Sequence, residues 1–260
     1  MSDAIEKAAL RLREAGETHR PCPPIRDLIA PDDVTSAYAV QEVNTKFWLG
    51  RGRRLVGRKI GLTAAAVQKQ LGVDQPDFGM LFADMLANEE RAIPLAELMQ
   101  PKVEAEIAIV LKRPLTRERH SIGDIADATD YVCAAIEIVG SRIANWDIKL
   151  ADTIADNASS SHFVLGAGKH KLSEVDLVGC AMTMTRRGET VSTGSGSACM
   201  GNPLNASAWL ADTMVKCGRP LQAGDVIMTG ALGPMAAVEP GDVVEARIEG
   251  LGQARVTFGR

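Results

Sequence analysis

The chain has 260 residues, of which 46% are hydrophobic and 24% charged, with a formal net charge of −4 and a sequence pI near 5.7. A mildly acidic chain with only 4% aromatic residues does not suit a nucleic-acid partner, which needs a basic face and rings for base stacking. No apolar run approaches the roughly 20 residues of a membrane span, and the N-terminus lacks the apolar stretch of a signal peptide. The five cysteines are widely spaced, so we expect a cytoplasmic protein with reduced thiols.

The spacing of apolar and capping residues predicts helices early in the chain and mainly strands later. The predicted helices span 2–16, 35–50, 63–72, 121–129 and 202–218. The predicted strands span 55–62, 101–112, 131–140, 163–165, 180–185, 189–192 and 225–229, followed by two short strands near the C-terminus. The sequence QPDFG at 75–79 is typical of a turn, and the polar segment 141–166 of a functional loop or a surface segment. This order predicts an α+β fold with a mainly antiparallel or mixed sheet.

Two carboxylates lie side by side on the otherwise apolar strand 101–112. Because side chains alternate along a strand, Glu104 and Glu106 share one face. Carboxylates this close in a half-buried site require a bound cation or a proton. Mg²⁺ or Mn²⁺ suits them, since hard divalent cations prefer carboxylate oxygens. The alternative interpretation is an edge strand with a solvated acidic face.

A third carboxylate and a lysine occupy two other apolar strands. Glu137 lies in the middle of 131–140, and three carboxylates at one ion would leave coordination positions for substrate oxygens. Lys59 lies within 55–62, where burial is expected to lower its pKa and suit it to proton transfer. Asp77, in QPDFG, is compatible with a plain turn residue. The histidines lack zinc-type spacing and no GxSxG occurs, so the pattern favours metal-assisted chemistry on small oxo-acids.

Several segments resemble the 2-keto-4-pentenoate hydratases, also called 2-hydroxypenta-2,4-dienoate hydratases, of the fumarylacetoacetate hydrolase superfamily. These segments are GRKIGLT (57–63), QLGVDQPDFG (70–79), PKVEAEIA (101–108), EIVGSRI (137–143), DTIADNAS (152–159), LNASAWLA (204–211) and TGALGPMAAVEPGD (229–242). The likeness covers essentially the whole chain. It implies a β-rich mixed-sheet roll at 73–260 after a smaller N-terminal α/β region at 1–72.

The resemblance also implies site residues. Mg²⁺ or Mn²⁺ would be held by Glu104, Glu106 and Glu137. Lys59 and Asp77 match the family's acid–base pair, and which of them is the acid stays open. Asn157 and Thr229 are weaker candidates for substrate contact. A role as structural turn residues is an equal alternative for both.

The implied reaction is addition of water to 2-hydroxypenta-2,4-dienoate, giving 4-hydroxy-2-oxopentanoate, in meta-cleavage breakdown of aromatic compounds. The metal would bind the C1 carboxylate and the C2 oxygen, and water would add at C4 after a proton reaches C5. Family members assemble as pentamers or decamers. The resemblance therefore implies a homo-oligomer, which can associate with a downstream aldolase or a sister decarboxylase.

The sequence is also compatible with three alternative functions. A 2-oxo-3-hexenedioate (4-oxalocrotonate) decarboxylase would use the same metal site, and a hydratase for oxoheptenedioate would need an extra cation for the distal carboxylate. A non-catalytic partner subunit would have no need of intact Lys59, Asp77 and the three glutamates. Many relatives in the superfamily carry Asp where this chain has Gly140, and the superfamily's hydrolases use a histidine-centred dyad that this chain lacks, which counts against C–C hydrolysis.

Overall fold

The computed structural model describes residues 2–64, 68 and 75–260. Within these ranges the helices span Asp3–Thr18 (α1), Val34–Gly50 (α2), Ile122–Ala128 (α3), Leu150–Ala155 (α4) and Pro203–Lys216 (α5). The strands span Leu55–Gly61 (β1), Asp77–Phe82 (β2), Lys102–Leu111 (β3), Thr129–Val139 (β4), Ser160–Leu165 (β5), Ala181–Arg186 (β6), Glu189–Ser195 (β7), Val226–Ala231 (β8), Ala236–Ala237 (β9), Val243–Ile248 (β10) and Gly252–Thr257 (β11). Most of the helix predicted at 63–72 lies outside the described residues. So does the predicted domain boundary at residue 72, which stays a prediction.

The fold is α+β, as predicted, and its strands form two sheets. The larger sheet has the order β2-β1-β8-β3-β4-β5, with β9 paired to the start of β3. Strands β1 and β8 run parallel, with Gly57 opposite Val226, whereas the other neighbouring pairs are antiparallel. The predicted mixed sheet is therefore confirmed. The smaller antiparallel sheet, β11-β10-β6-β7, packs against β4 and β5.

The larger sheet curls into a roll. Strands β8 and β3 separate β1 from β4, a distance of about 14 Å in a flat sheet. Even so, Lys59 of β1 and Glu137 of β4 approach to 3.3 Å. At the other side of the roll, the N–H of Ala87, after β2, donates to Phe163 O of β5 at 2.9 Å. Side chains from distant strands therefore point into one interior.

Helices α1 and α2 pack beside the roll. Their N-caps are Ser2 and Asp33, close to the predicted starts, because each side chain accepts a hydrogen bond from a free backbone N–H of the first turn. Their apolar faces join α4 in a separate core cluster. The Tyr38 ring of α2 stacks on Phe78 of β2, with the ring centroids 4.4 Å apart. Helix α2 thus contacts the strand that begins at Asp77.

Two local predictions are wrong. Asp77 belongs to β2 rather than to a turn, because pairing with β1 overrides the local turn preference of QPDFG. The segment 141–166 is neither an open loop nor plain surface, since it contains α4 and buries two aspartates. Asp152 pairs with Arg26, and Asp156 pairs with Arg142.

All five cysteines are free thiols, which agrees with the expectation of reduced cysteines. Among the helices in the described ranges, none combines the length and the apolar character that a bilayer crossing needs.

Candidate active site

Three glutamates on the two neighbouring strands β3 and β4 form a carboxylate cluster. Glu104 lies directly opposite Glu137 in the antiparallel register, and Glu106 follows on the same face of β3. One carboxylate oxygen from each residue lies within 4.8 Å of the other two. Glu106 and Glu137 are fully buried and Glu104 is partly buried. A solvated acidic face on an edge strand is excluded, because β3 lies between β8 and β4.

Burial raises the pKa of all three carboxyls, and it does so at Glu137 despite the opposing effect of Lys59. Desolvation and then Glu137 raise the pKa of Glu104 to about 7, and the same two causes hold the pKa of Glu106 well above its usual value. The N–H of Gly230 donates to Glu106 Oε2 at 2.9 Å. Among the described residues, Glu106 Oε1 and both oxygens of Glu137 have no hydrogen-bond partner. Buried carboxylate oxygens without hydrogen-bond partners are the donor set that fits a hard divalent cation.

Lys59 supplies the positive charge next to the cluster. Its Nζ lies 3.3 Å from Glu137 Oε1, and both side chains are buried. Burial acts to lower the pKa of Lys59, but Glu137, then Asp77 and the other two glutamates, outweigh burial and raise the pKa overall. The prediction of a lowered pKa is therefore wrong. Its physical reason is the ring of carboxylates, which converges on Lys59 only in the folded roll.

Asp77 lies beside Lys59 on the next strand. In the β1–β2 register Lys59 is opposite Gly79, and Asp77 is opposite Gly61. Asp77 is 1% exposed, and burial raises its pKa despite the opposing effect of Lys59. A Cβ on Gly61 would lie 2.2 Å from Asp77 Oδ1 and 3.4 Å from Lys59 Nζ. Glycine at this position leaves a space that borders both side chains.

Asn157 and Thr229 both use their side chains within the protein. Thr229 lies in β8, fully buried, and its hydroxyl donates to Ile107 O at 2.9 Å. The Asn157 amide bonds the backbone of Met80 in β2. Substrate contact by either residue stays a prediction.

The sequence does not predict that the N–H of Gly230 in β8 holds Glu106 by a hydrogen bond. Gly230 has a φ of +109°, and a Cβ on it would lie 2.3 Å from Thr63 Oγ1. Cys199 packs behind β8, where its Sγ donates to Thr229 O at 2.7 Å. The glycine after Thr229 is the signal that could have indicated a close approach here.

Gly140 directly follows β4. A Cβ on Gly140 would lie 2.8 Å from Met99 O, so any larger residue would require that backbone to move. The close approach of the chain at Met99 explains the glycine.

Comparison with known proteins agrees with this geometry. The family model described as fumarylacetoacetate (FAA) hydrolase C-terminal matches residues 48–258. The chain therefore belongs to the fumarylacetoacetate hydrolase family. Within that family it groups with the 2-keto-4-pentenoate hydratases, as its motifs predict. It is 58% identical to 2-keto-4-pentenoate hydratase 2 of Dechloromonas aromatica (98% of this chain, 97% of the relative). It is 56% identical to the 2-keto-4-pentenoate hydratase of Burkholderia vietnamiensis (99% of both chains).

A solved structure matches the fold over nearly its whole length. It is the 4-oxalocrotonate decarboxylase from Pseudomonas putida G7, complexed with magnesium and adipate. The TM-score is 0.92 at 33% identity, covering 98% of this chain and 97% of that chain. The expected fumarylacetoacetate-hydrolase-like roll is confirmed.

Proposed function

We propose that this chain is a hydro-lyase that adds water to 2-hydroxypenta-2,4-dienoate and forms 4-hydroxy-2-oxopentanoate in meta-cleavage breakdown of aromatic compounds. The observation that carries the proposal is the convergence of the glutamate cluster, Lys59 and Asp77 in one buried site. It is supported by identities of 53% to 58% with proteins named as hydratases, over nearly the full length of both chains.

A divalent metal held by Glu104, Glu106 and Glu137 is part of this proposal. Its support is the set of buried carboxylate oxygens that have no hydrogen-bond partner in the described part of the chain. The similar decarboxylase was solved with magnesium and also with calcium. We favour Mg²⁺ or Mn²⁺ here. When bound, such a metal supplies Lewis-acid stabilisation to a 2-oxo acid and its enolate.

Lys59 and Asp77 carry out the proton transfers in the proposed reaction. Forming 4-hydroxy-2-oxopentanoate needs protons delivered to C5 and to C3, and protons removed from the C2 enol hydroxyl and from the water that adds at C4. Lys59 is held in its ammonium form by the surrounding carboxylates, and Asp77 lies beside it with a raised pKa. The pair therefore offers one group able to release a proton and one able to take it up.

The dienoate chromophore gives a direct test. With Mg²⁺ or Mn²⁺, purified protein is expected to remove the absorbance of 2-hydroxypenta-2,4-dienoate and form 4-hydroxy-2-oxopentanoate, and EDTA is expected to stop the reaction. Release of CO₂ from 2-oxo-3-hexenedioate, with no hydration of the dienoate, would instead indicate the sister decarboxylase, whose fold is so similar. Metal binding without turnover of either substrate would indicate a non-catalytic subunit.

The resemblance also supports a homo-oligomer, a pentamer or decamer, located in the cytoplasm. Association with a downstream aldolase or a sister decarboxylase belongs to the same proposal.

Replacing Gly230 tests the support behind Glu106. In Gly230→Ala the new Cβ would meet Thr63 side-chain atoms at 2.3, 2.5 and 2.9 Å, at a φ of +109° that L-residues rarely adopt, so we expect the backbone that carries the N–H bonded to Glu106 Oε2 to shift. We expect Mn²⁺ affinity, measured by isothermal titration calorimetry, to fall about 10- to 100-fold, as when a partner of a metal ligand is lost. The matched control is Gly188→Ala in the β6–β7 hairpin, where φ is +88° and no described atom lies within 4 Å of the new Cβ. Equal affinity in the two variants would contradict the prediction.

A further inference from the structure

Strand β2, which begins at Asp77, is an edge strand whose free side is covered by side chains. An uncovered edge would leave backbone N–H and C=O groups unpaired on the side away from β1. Four of these groups instead have side-chain partners. Phe78 O accepts from Gln41, the N–H of Met80 donates to Asn157, Met80 O accepts from Asn157, and the N–H of Phe82 donates to Met85 Sδ.

Gln41 ties this edge to helix α2. The side chain is 3% exposed, and its Nε2 donates to Phe78 O and to Ile154 O, both at 2.9 Å. Tyr38, one turn earlier on the same face of α2, stacks on the Phe78 ring. Phe78 directly follows Asp77, so the docking of α2 fixes the strand next to that carboxyl.

Asn157 holds the same edge from the other direction. Its Oδ1 accepts from the Met80 N–H at 2.7 Å and its Nδ2 donates to Met80 O at 2.9 Å, which imitates a neighbouring strand. Residues Asn157, Ala158 and Ser159 all have left-handed φ values, of 55°, 51° and 56°. Three such residues in a row are costly for L-amino acids and persist only where the surroundings hold them.

Asp77 depends on this edge for its position. Within the described ranges its Oδ1 has no hydrogen-bond partner, so the backbone of β2 largely sets where the carboxyl lies. Asn157 O also lies 2.3 Å from the place a Cβ on Gly79 would occupy, directly against the residue opposite Lys59. Gln41 and Asn157 line a cavity of about 430 Å³. Neither the glutamate cluster nor Asp77 contributes to the lining of that cavity.

We propose that Gln41 and Asn157 form a two-amide clamp that fixes β2 and so positions Asp77 against Lys59. Both are positioning residues that act through the strand and not through the substrate. The metal ligands are independent of the clamp, because β3 and β4 are held by backbone ladders on both sides. The inference rests on the proposed role of Asp77 in proton transfer.

The test compares Gln41→Leu and Asn157→Ala with the wild-type enzyme, loaded with Mn²⁺. We expect kcat to fall about 10- to 100-fold, the effect of moving a reacting group by about 1 Å. We expect KM and Mn²⁺ affinity to change less than about 2-fold, because substrate and metal contacts stay in place. In Asn157→Ala, hydrogen exchange of the Met80 N–H is expected to accelerate. A raised KM with unchanged kcat in Asn157→Ala would overturn the proposal in favour of substrate contact.

Helix α2 offers a matched control. The Asn44 amide donates to Ala9 O of α1 at 3.0 Å and accepts from Arg13, and it forms no hydrogen bond with β2 among the described residues. Asn44→Ala is expected to leave kcat unchanged, and a loss equal to that of Gln41→Leu would overturn the clamp. If Gln41→Leu does not fold, Gln41→Met, which keeps the side-chain length, serves in the same comparison.

A double-mutant cycle separates this inference from the proposed function. In the Asp77→Asn background, Gln41→Leu should lower kcat by less than about 2-fold more, because groups that act as one unit are not additive. Full additivity would overturn the clamp. If Asp77→Asn alone leaves kcat unchanged, the role of Asp77 in the proposed function fails instead. The exchange rate of the Met80 N–H still reports on the clamp in that case.

Discussion

Replacing Glu106 with Gln is expected to abolish turnover while the fold stays intact. Glu106 is fully buried, and its Oε1 has no partner among the residues described. An amide has the same shape as the carboxylate but carries no charge and offers a poorer ligand to a hard cation. We expect kcat/KM to fall at least about 10³-fold, or about 4 kcal/mol of transition-state stabilisation.

The same substitution should have opposite effects on the stability of the metal-free and metal-loaded protein. Glu106→Gln removes one of three crowded buried carboxyls, so the metal-free protein should unfold at a higher urea concentration. The rise in Tm that Mn²⁺ gives the wild-type protein should be lost. Glu249→Gln, at the exposed turn between β10 and β11, is the matched control and should behave as wild type. Unchanged turnover in Glu106→Gln would remove Glu106 from the metal site.

Replacing Lys59 with Ala is expected to lower kcat far more than it alters metal affinity. The ammonium is buried 3.3 Å from Glu137 Oε1, so its loss would remove one of the two proposed proton-transfer groups and leave the carboxylate oxygens of the glutamates present. Loss of a general acid or base typically lowers kcat about 10²- to 10⁴-fold. Metal affinity should not fall, because removing a positive charge beside Glu137 favours a bound cation.

The measurements for Lys59→Ala are kcat at saturating Mn²⁺ and the calorimetric affinity for Mn²⁺. Lys112→Ala, in the exposed position after β3, is the control for loss of a lysine near the same strand. A collapse of metal affinity with intact kcat would show that Lys59 holds the site together and does not move protons. If Lys59→Ala is too unstable to purify, Lys59→Met retains the apolar part of the side chain and tests the same point.

Part of the site is readable from the sequence because strand geometry is simple. Side chains alternate with a period of two, so Glu104 and Glu106 must share a face whatever strand lies beside them. The register that sets Glu104 opposite Glu137 cannot be predicted in the same way. It depends on how β3 and β4 pair along their whole length, and neither strand alone specifies it.

The wrong prediction of a lowered pKa for Lys59 and the failure to predict a role for Gln41 have the same cause. A lysine in an apolar strand predicts a lowered pKa only if nothing charged approaches it. Here the curl of the sheet brings Glu137 to 3.3 Å. A glutamine in an amphipathic helix does not indicate a function by itself. The role of Gln41 is seen only when the free edge of β2 lies against the helix. In both cases the partner comes from a distant part of the chain, which local patterns do not encode.

The central position of β8 has a consequence for how the enzyme is made. Lys59 and Asp77 lie on the β1–β2 hairpin, the glutamates lie on β3 and β4, and β8 is the strand that joins these two groups. During synthesis both pairs can form early, but the sheet between β1 and β3 cannot be completed until Val226–Ala231 leaves the ribosome. A nascent chain that lacks β8 therefore has its three glutamates and its lysine on parts of the sheet that are not yet hydrogen-bonded together, so the complete site is expected to form late in folding.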